Sequence, residues 1–124
     1  MNREIKFRVW DIKNKEMLKV QELDFEPTFY GGRIAIRLDQ YNDYFDTEDI
    51  ILMQYTGLDD KNGKEIYEGD IVKYENMTGK IMFFNGSFIM SNFEETEEWE
   101  LGVINEEIEV IGNIYENSEL LGGE

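Results

Sequence analysis

The chain has 124 residues and carries 12 Lys plus Arg against 28 Asp plus Glu, a formal net charge of −16, with neither Cys nor His. Those absences exclude thiol and imidazole catalysis, thiolate or imidazole metal sites and a disulfide framework. A hydrophobic content of 41% with 14% aromatics is too apolar for a disordered acidic chain, and the length fits one folded domain, residues 1–124, with subregions 1–49 and 50–124.

The longest apolar run, Ile50 to Met53, is far short of the ~18 residues of a membrane-spanning helix, and the N-terminus shows no signal-peptide core. The expected location is therefore the cytoplasm. Charge is uneven: residues 1–40 hold eight basic and seven acidic side chains, residues 41–124 hold four and 21, and no basic residue follows Lys80. Such a field repels phosphate backbones and anionic lipid, so neither direct nucleic-acid binding nor membrane binding is expected.

In chain order, Arg3 to Trp10 alternates Ile5, Phe7 and Val9 with charged residues, which predicts a half-buried strand. Asp11 to Lys15 reads as a turn with Asn14 left-handed, and Met17 to Phe25 as the returning strand of a hairpin. Pro27 and Gly31-Gly32 mark a loop, Arg33 to Leu38 a third strand, and Asp39 to Asp49 a connection with one helical turn. The apolar run from Ile50 to Tyr55, bounded by Gly57, predicts a buried strand.

Gln54 to Tyr74 reads QYTGLDDKNGKEIYEGDIVKY. Asp60 to Gly63 is a turn signal with Asn62 and Gly63 suited to positive φ, and Gly69-Asp70 is a second turn in which Asp70 bonds nearby amides. Strand Ile71 to Glu75, turn Asn76 to Gly79, strand Lys80 to Phe84, turn Asn85-Gly86 and strand Ser87 to Ser91 follow. Short strands joined by tight turns are what a small SH3-like barrel requires. Ser91 with Glu94 and Asn92 with Glu95 both match a capping box, predicting a short helix over Phe93 to Trp99. Ile108 to Tyr115 reads as a closing strand and Ser118 to Glu124 as a loose tail. The fold class expected is mainly β: an N-terminal hairpin and meander packed with a C-terminal SH3-like small β-barrel and one short helix.

Three stretches, REIKFRVWDIKNKEML (Arg3 to Leu18), QYTGLDDKNGKEIYEGDIVKYE (Gln54 to Glu75) and EVIGNIYENSELL (Glu109 to Leu121), resemble the YopX family of phage and prophage proteins. The resemblance implies a small, soluble, β-rich, phage- or prophage-encoded protein, in a family without assigned catalytic residues to carry over. The strongest motif, which includes Asp60, also has a structural explanation, because Gly57, Gly63 and Gly69 suit tight turns, Asn62 suits positive φ, and Asp70 suits a local cap.

Three chemical readings compete. A calcium loop with Gly63 as its sixth position fails, because Leu58 would fall at the first ligand position and Gly69 where a bidentate Glu is needed, although Asp59, Asp60, Glu68 and Asp70 could hold Mg²⁺ weakly. A carboxylate-pair or divalent-metal enzyme needs only two spaced acids, but nothing marks a pair among 28. The third reading is acidic mimicry of nucleic acid, presented to a basic or nucleic-acid-binding host protein. Its candidate protein-contact surface is Glu94, Glu95, Glu97, Glu98, Trp99 and Glu100, continuing to Glu106, Glu107 and Glu109, with Trp99 as apolar anchor. Against it stands a solvated acidic face, with Trp99 and Leu101 closing the core. Arg3, Lys6 and Arg8 on the first strand allow a further reading, a homo-oligomer held by charge. The sequence leads to the expectation of a non-enzymatic interaction protein with no cofactor, no metal and no catalytic residue.

Overall fold

The structure, a computed structural model, describes residues 4–24, 35–38 and 44–122. The protein is mainly β, and all described strand pairs are antiparallel. Among the described residues eleven strands fall into two sheets: β1 (Phe7–Asp11), β2 (Glu16–Asp24), β3 (Ala35–Leu38), β4 (Tyr44–Asp46), β5 (Ile50–Asp59) and β6 (Glu65–Tyr67) in one; β7 (Asp70–Tyr74), β8 (Met77–Phe84), β9 (Ser87–Asn92), β10 (Glu98–Glu100) and β11 (Ile108–Asn113) in the other. The one α-helix among the described residues is α1 (Leu101–Ile104). The chain divides into two compact units, Ile5–Gln54 and a second that runs from Tyr55 to Glu124 and takes in Met1–Glu4.

In the first unit the strand order is β4-β3-β2-β1-β5. Its alternating pattern places Val9, Leu18, Ile36, Leu38 and Ile50 in one buried cluster, with Val20 and Leu23 packed on it. The β1–β2 turn is built by Asp11. Its Oδ1 accepts the Lys13 and Asn14 amides at 3.0 and 3.2 Å, and its Oδ2 accepts the Asn14 side-chain amide at 2.8 Å. With Asn14 held this way, the left-handed residue is Lys15, φ 57°, rather than Asn14 as expected. Strand β1 starts at Phe7 rather than Arg3 and continues through Trp10 to Asp11. The Pro27 and Gly31-Gly32 loop lies outside the described residues. The Asp39 to Asp49 connection lies partly outside them; its described part is strand β4 followed by a 3-10 turn, Thr47–Asp49.

Strand β5 is longer than its sequence suggests. Its first half pairs with β1, Ile50 opposite Asp11 and Gln54 opposite Phe7. Its second half pairs with β6, Tyr55 opposite Tyr67 and Asp59 opposite Glu65. Gly57, expected to end the strand, lies inside this second half at φ 86°, where the register is irregular.

In the second unit the sheet order is β10-β9-β8-β7-β11. Its β10 and β11 are edges that do not pair with each other among the described residues, so the described pairing forms an open sheet with no closed barrel. The core face carries Val72, Ile81, Met90, Ile108 and Val110, covered by Ile66 and by Leu101 and Ile104 of α1. The turn after β7 is Glu75-Asn76, with Glu75 at φ 55°; of the turn expected over Asn76 to Gly79, Met77 to Gly79 are strand. Gly79 is a mid-strand residue because β9 passes too close for a side chain: a Cβ there would overlap the Ser91 carbonyl oxygen and sit 2.7 Å from Met90 Cε.

The helix expected over Phe93 to Trp99 is not formed. Asn92 does cap, but it caps a loop: Oδ1 accepts the Thr96 and Glu97 amides at 2.9 and 3.0 Å, and Nδ2 donates to Thr96 Oγ1 at 2.8 Å. Glu95, the would-be partner in the capping box, is left-handed at φ 59°, which stops a helix, and Glu98 to Glu100 are strand. The loop should therefore depend on Asn92. Asn92→Ala is expected to destabilise by about 1 kcal/mol and to speed amide exchange at Thr96 and Glu97. Unchanged exchange at those two amides would mean the cap does not hold the loop. The described end of the chain is a 3-10 turn, Ser118–Gly122, rather than a loose tail.

Candidate functional site

The QYTGLDDKNGKEIYEGDIVKY motif builds a junction within the second unit. Asp60 is 5% exposed, and both carboxylate oxygens are engaged. Oδ1 accepts the Asn62 and Lys64 amides at 2.8 and 2.9 Å, tightening the β5–β6 turn. Oδ2 accepts the amide of Val110, 50 residues away on β11, at 2.9 Å. Next to it, the Lys61 amide donates to the Ile108 carbonyl at 3.0 Å.

Ile108 and Val110 are two apart, so these groups lie on the same outer edge of β11. The turn thus supplies an amide and a carboxylate oxygen where a neighbouring strand would supply an amide and a carbonyl. Burial alone would raise the Asp60 pKa, but the amides of Val110, Lys64 and Asn62, helped by the Lys64 charge, outweigh it and hold the carboxyl below its ordinary value. In the turn itself Gly63 takes φ 82°, whereas Asn62, expected to be left-handed, is not; its amide donates to Asp60 Oδ1.

The second turn works the same way. Gly69, at φ 85°, donates its amide to Ile81 at 2.9 Å and accepts the Ile114 amide at 2.8 Å. An L-residue resists that backbone conformation, which accounts for glycine there. Asp70, 2% exposed, accepts the Tyr67 amide at 2.8 Å and stands opposite Asn113. Asn113 in turn caps the Tyr115 and Glu116 amides at 3.0 and 2.8 Å. Asp59 accepts the Tyr55 hydroxyl at 2.7 Å. Asp60, Asn62, Gly63, Gly69 and Asp70 therefore sit in one framework of turns, with Gly57 in the irregular part of β5 that leads into it.

The candidate contact residues lie elsewhere in the same unit. Glu94, Glu95 and Glu97 are exposed on the β9–β10 loop, and Glu98 and Glu100 are exposed on edge strand β10. Lys80 reaches Glu95 at 2.7 Å, and Ser87 donates to Glu100 at 3.0 Å. Trp99 is half-buried against the core, edge-on to Tyr74 with ring centroids 5.8 Å apart. Burial, and then the charges of Glu107 and Glu75, push the Tyr74 phenol above its ordinary pKa. Among the described residues, no three acidic side chains are grouped to hold a metal ion, and no helix is long and apolar enough to cross a membrane.

Sequence reasoning did not find the Asp60–Val110 bond, for which no local pattern exists, nor the exposed pair Phe83 and Phe84. The second was readable in principle, as two adjacent aromatics just before an Asn-Gly turn.

Taken together, these features define an antiparallel β protein in which buried Asp and Asn side chains accept backbone amides around the turns, and Asp60 takes the place of a strand partner for β11. The chain belongs to the YopX family: the family model described as YopX protein matches residues 6–122. Among solved structures it is similar to protein EF1440 from Enterococcus faecalis, at 30% identity and TM-score 0.64, covering 97% of this chain and 99% of that one. It is also similar in fold to protein yopX from Bacillus subtilis, at 22% identity and TM-score 0.64, covering 94% of this chain and 95% of that one. No curated protein matches it.

Proposed function

We propose that this is a non-enzymatic accessory protein of phage or prophage origin that acts in the host cytoplasm by contacting a basic or nucleic-acid-binding host protein. The exposed acids of the β9–β10 loop and β10 form the contact surface. The observation that carries the reading is the division of labour among the acids. Asp60 and Asp70 are buried with their oxygens on backbone amides, whereas Glu94, Glu97 and Glu98 face water. The one described ion pair on that loop uses Lys80, the last basic residue of the chain. An uncompensated acidic surface of this kind accelerates encounter with basic partners and repels nucleic acid.

The test is affinity capture from host lysate, comparing the wild-type chain with a variant carrying Glu94→Gln, Glu95→Gln, Glu97→Gln and Glu98→Gln. A discrete basic protein retained by the wild type alone is the expected result. The same proteins on both chains would remove the reading. A carboxylate- or divalent-metal-dependent enzyme would be indicated instead by saturable Mg²⁺ or Mn²⁺ binding with a matching rise in thermal stability.

A further inference from the structure

The last two residues of β8, Phe83 and Phe84, are 53% and 46% exposed. Strand alternation sends their rings to opposite faces of the sheet. Phe83 lies on the core face opposite Phe88, with the rings edge-on and centroids 5.0 Å apart. Phe84 lies on the other face, opposite Ser87. Asn85 and Gly86, at φ 51° and 83°, join the strands through a tight turn, so the backbone that carries Phe84 is set by the hairpin before anything binds.

The surroundings of Phe84 are charged. Ser87, directly across from it, donates to Glu100 at 3.0 Å, which fixes that carboxylate beside the hairpin tip. Glu98 and Glu100 pair with Ser91 and Ile89 of β9, which places both on the Phe84 face of the sheet. The face therefore presents one exposed aromatic ring with the Glu100 carboxylate held on its cross-strand neighbour Ser87 and Glu98 further along the same edge strand.

We propose that this face docks a basic amphipathic segment of a partner protein, an apolar side chain covering Phe84 while Lys or Arg side chains meet Glu98 and Glu100. The inference rests on the interaction reading above and adds the partner's chemistry: charge alone is not sufficient, and an apolar group must accompany it. Cations near the ring add a cation–π attraction that an acidic loop by itself lacks. An anionic lipid surface is repelled by the same carboxylates, and a second copy of the chain would bring a net charge of −16 against −16.

The experiment titrates the full chain with a synthetic peptide of alternating Leu and Lys, with oligolysine as the purely cationic control, at low and high salt. The wild type should bind the Leu-Lys peptide saturably and at least tenfold more tightly than oligolysine. Phe84→Ser should erase that preference, Phe84→Leu should restore most of it, and Phe83→Ser, on the opposite face, should leave it intact. Glu98→Gln with Glu100→Gln should weaken binding and flatten its salt dependence. Circular dichroism and thermal unfolding establish that each variant is folded.

Equal binding of both peptides, or equal effects of Phe83→Ser and Phe84→Ser, overturns the inference while leaving acidic recognition standing if the Glu variants still lose affinity. Binding unaffected by any Phe or Glu change overturns both readings. Self-association, or adsorption to phosphatidylcholine vesicles, that disappears with Phe84→Ser also overturns it, by assigning the ring to a second copy or to lipid.

Discussion

Asp60→Ala is expected to destabilise the second unit by about 3 to 4 kcal/mol, measured by equilibrium urea unfolding. The substitution removes three charge-assisted hydrogen bonds at once and leaves the Val110 amide buried without an acceptor, which alone costs about 1 to 3 kcal/mol. Asp60→Asn is the sharper comparison because it keeps the volume. An amide side chain has one acceptor oxygen, so its NH₂ must face either the turn amides or Val110, and at least half the loss should remain. An Asn variant as stable as wild type would show that the carboxylate is not the link between the turn and β11.

The same site predicts an acid dependence. The folded state holds the Asp60 carboxyl below its ordinary pKa, so it favours the ionised form more than the unfolded chain does. Its contribution is complete above the unfolded value, near pH 4, and is lost as pH falls through the lower folded value. The stability gap between wild type and Asp60→Asn should therefore be constant at neutral pH and shrink below about pH 4. A gap that is unchanged down to pH 2 would contradict this.

Gly79→Ala should cost about 3 kcal/mol, a large effect for one methyl group. The cause is steric, since Gly79 is not left-handed and Ala suits strands no worse than Gly. The new methyl would meet the Ser91 carbonyl, a backbone atom held in the β8–β9 ladder, and that ladder cannot retreat without breaking its own hydrogen bonds. Met90 Cε, also in the way, is flexible and could move. Stability within about 0.5 kcal/mol of wild type, the range of neutral surface changes, would mean that the strands separate more easily than this spacing implies.

The contrast between Gly79 and Gly86 shows what was legible in the sequence. Asn85-Gly86 was readable because a two-residue hairpin turn needs positive φ at both positions, a local requirement with a local signal. Gly79 was read as a turn residue because glycine usually marks turns. It is there because another strand passes close by, and nothing near it in sequence records that. The helix was misplaced for a related reason: Asn92 has the chemistry of a cap, and a cap serves a hairpin loop as readily as a helix. The true helix, at Leu101–Ile104, has no side-chain cap and rests on burying Leu101 and Ile104.

At the candidate site, the turn chemistry of Asp60, Gly63, Gly69 and Asp70 was visible, because Asp and Gly beside strand patterns have few other roles. The partner of Asp60 was not, since a bond to Val110 depends on how strands are ordered in space. The family resemblance was carried by these same framework residues, together with the first and last strands. Recognition of the family was accordingly easier to read than its activity.

The β9–β10 loop is held in shape by Asn92, with Thr96 as its side-chain partner, and not by the glutamates between and around them. Glu94 and Glu97 are exposed, and the Lys80–Glu95 pair, being at the surface, adds little to stability. The fold thus sets no side-chain chemistry at Glu94 and Glu97, whereas Glu95 is restricted by its left-handed backbone. Related chains can rewrite the sign, size and shape of this surface while keeping one scaffold, much as a display loop is varied on a fixed support.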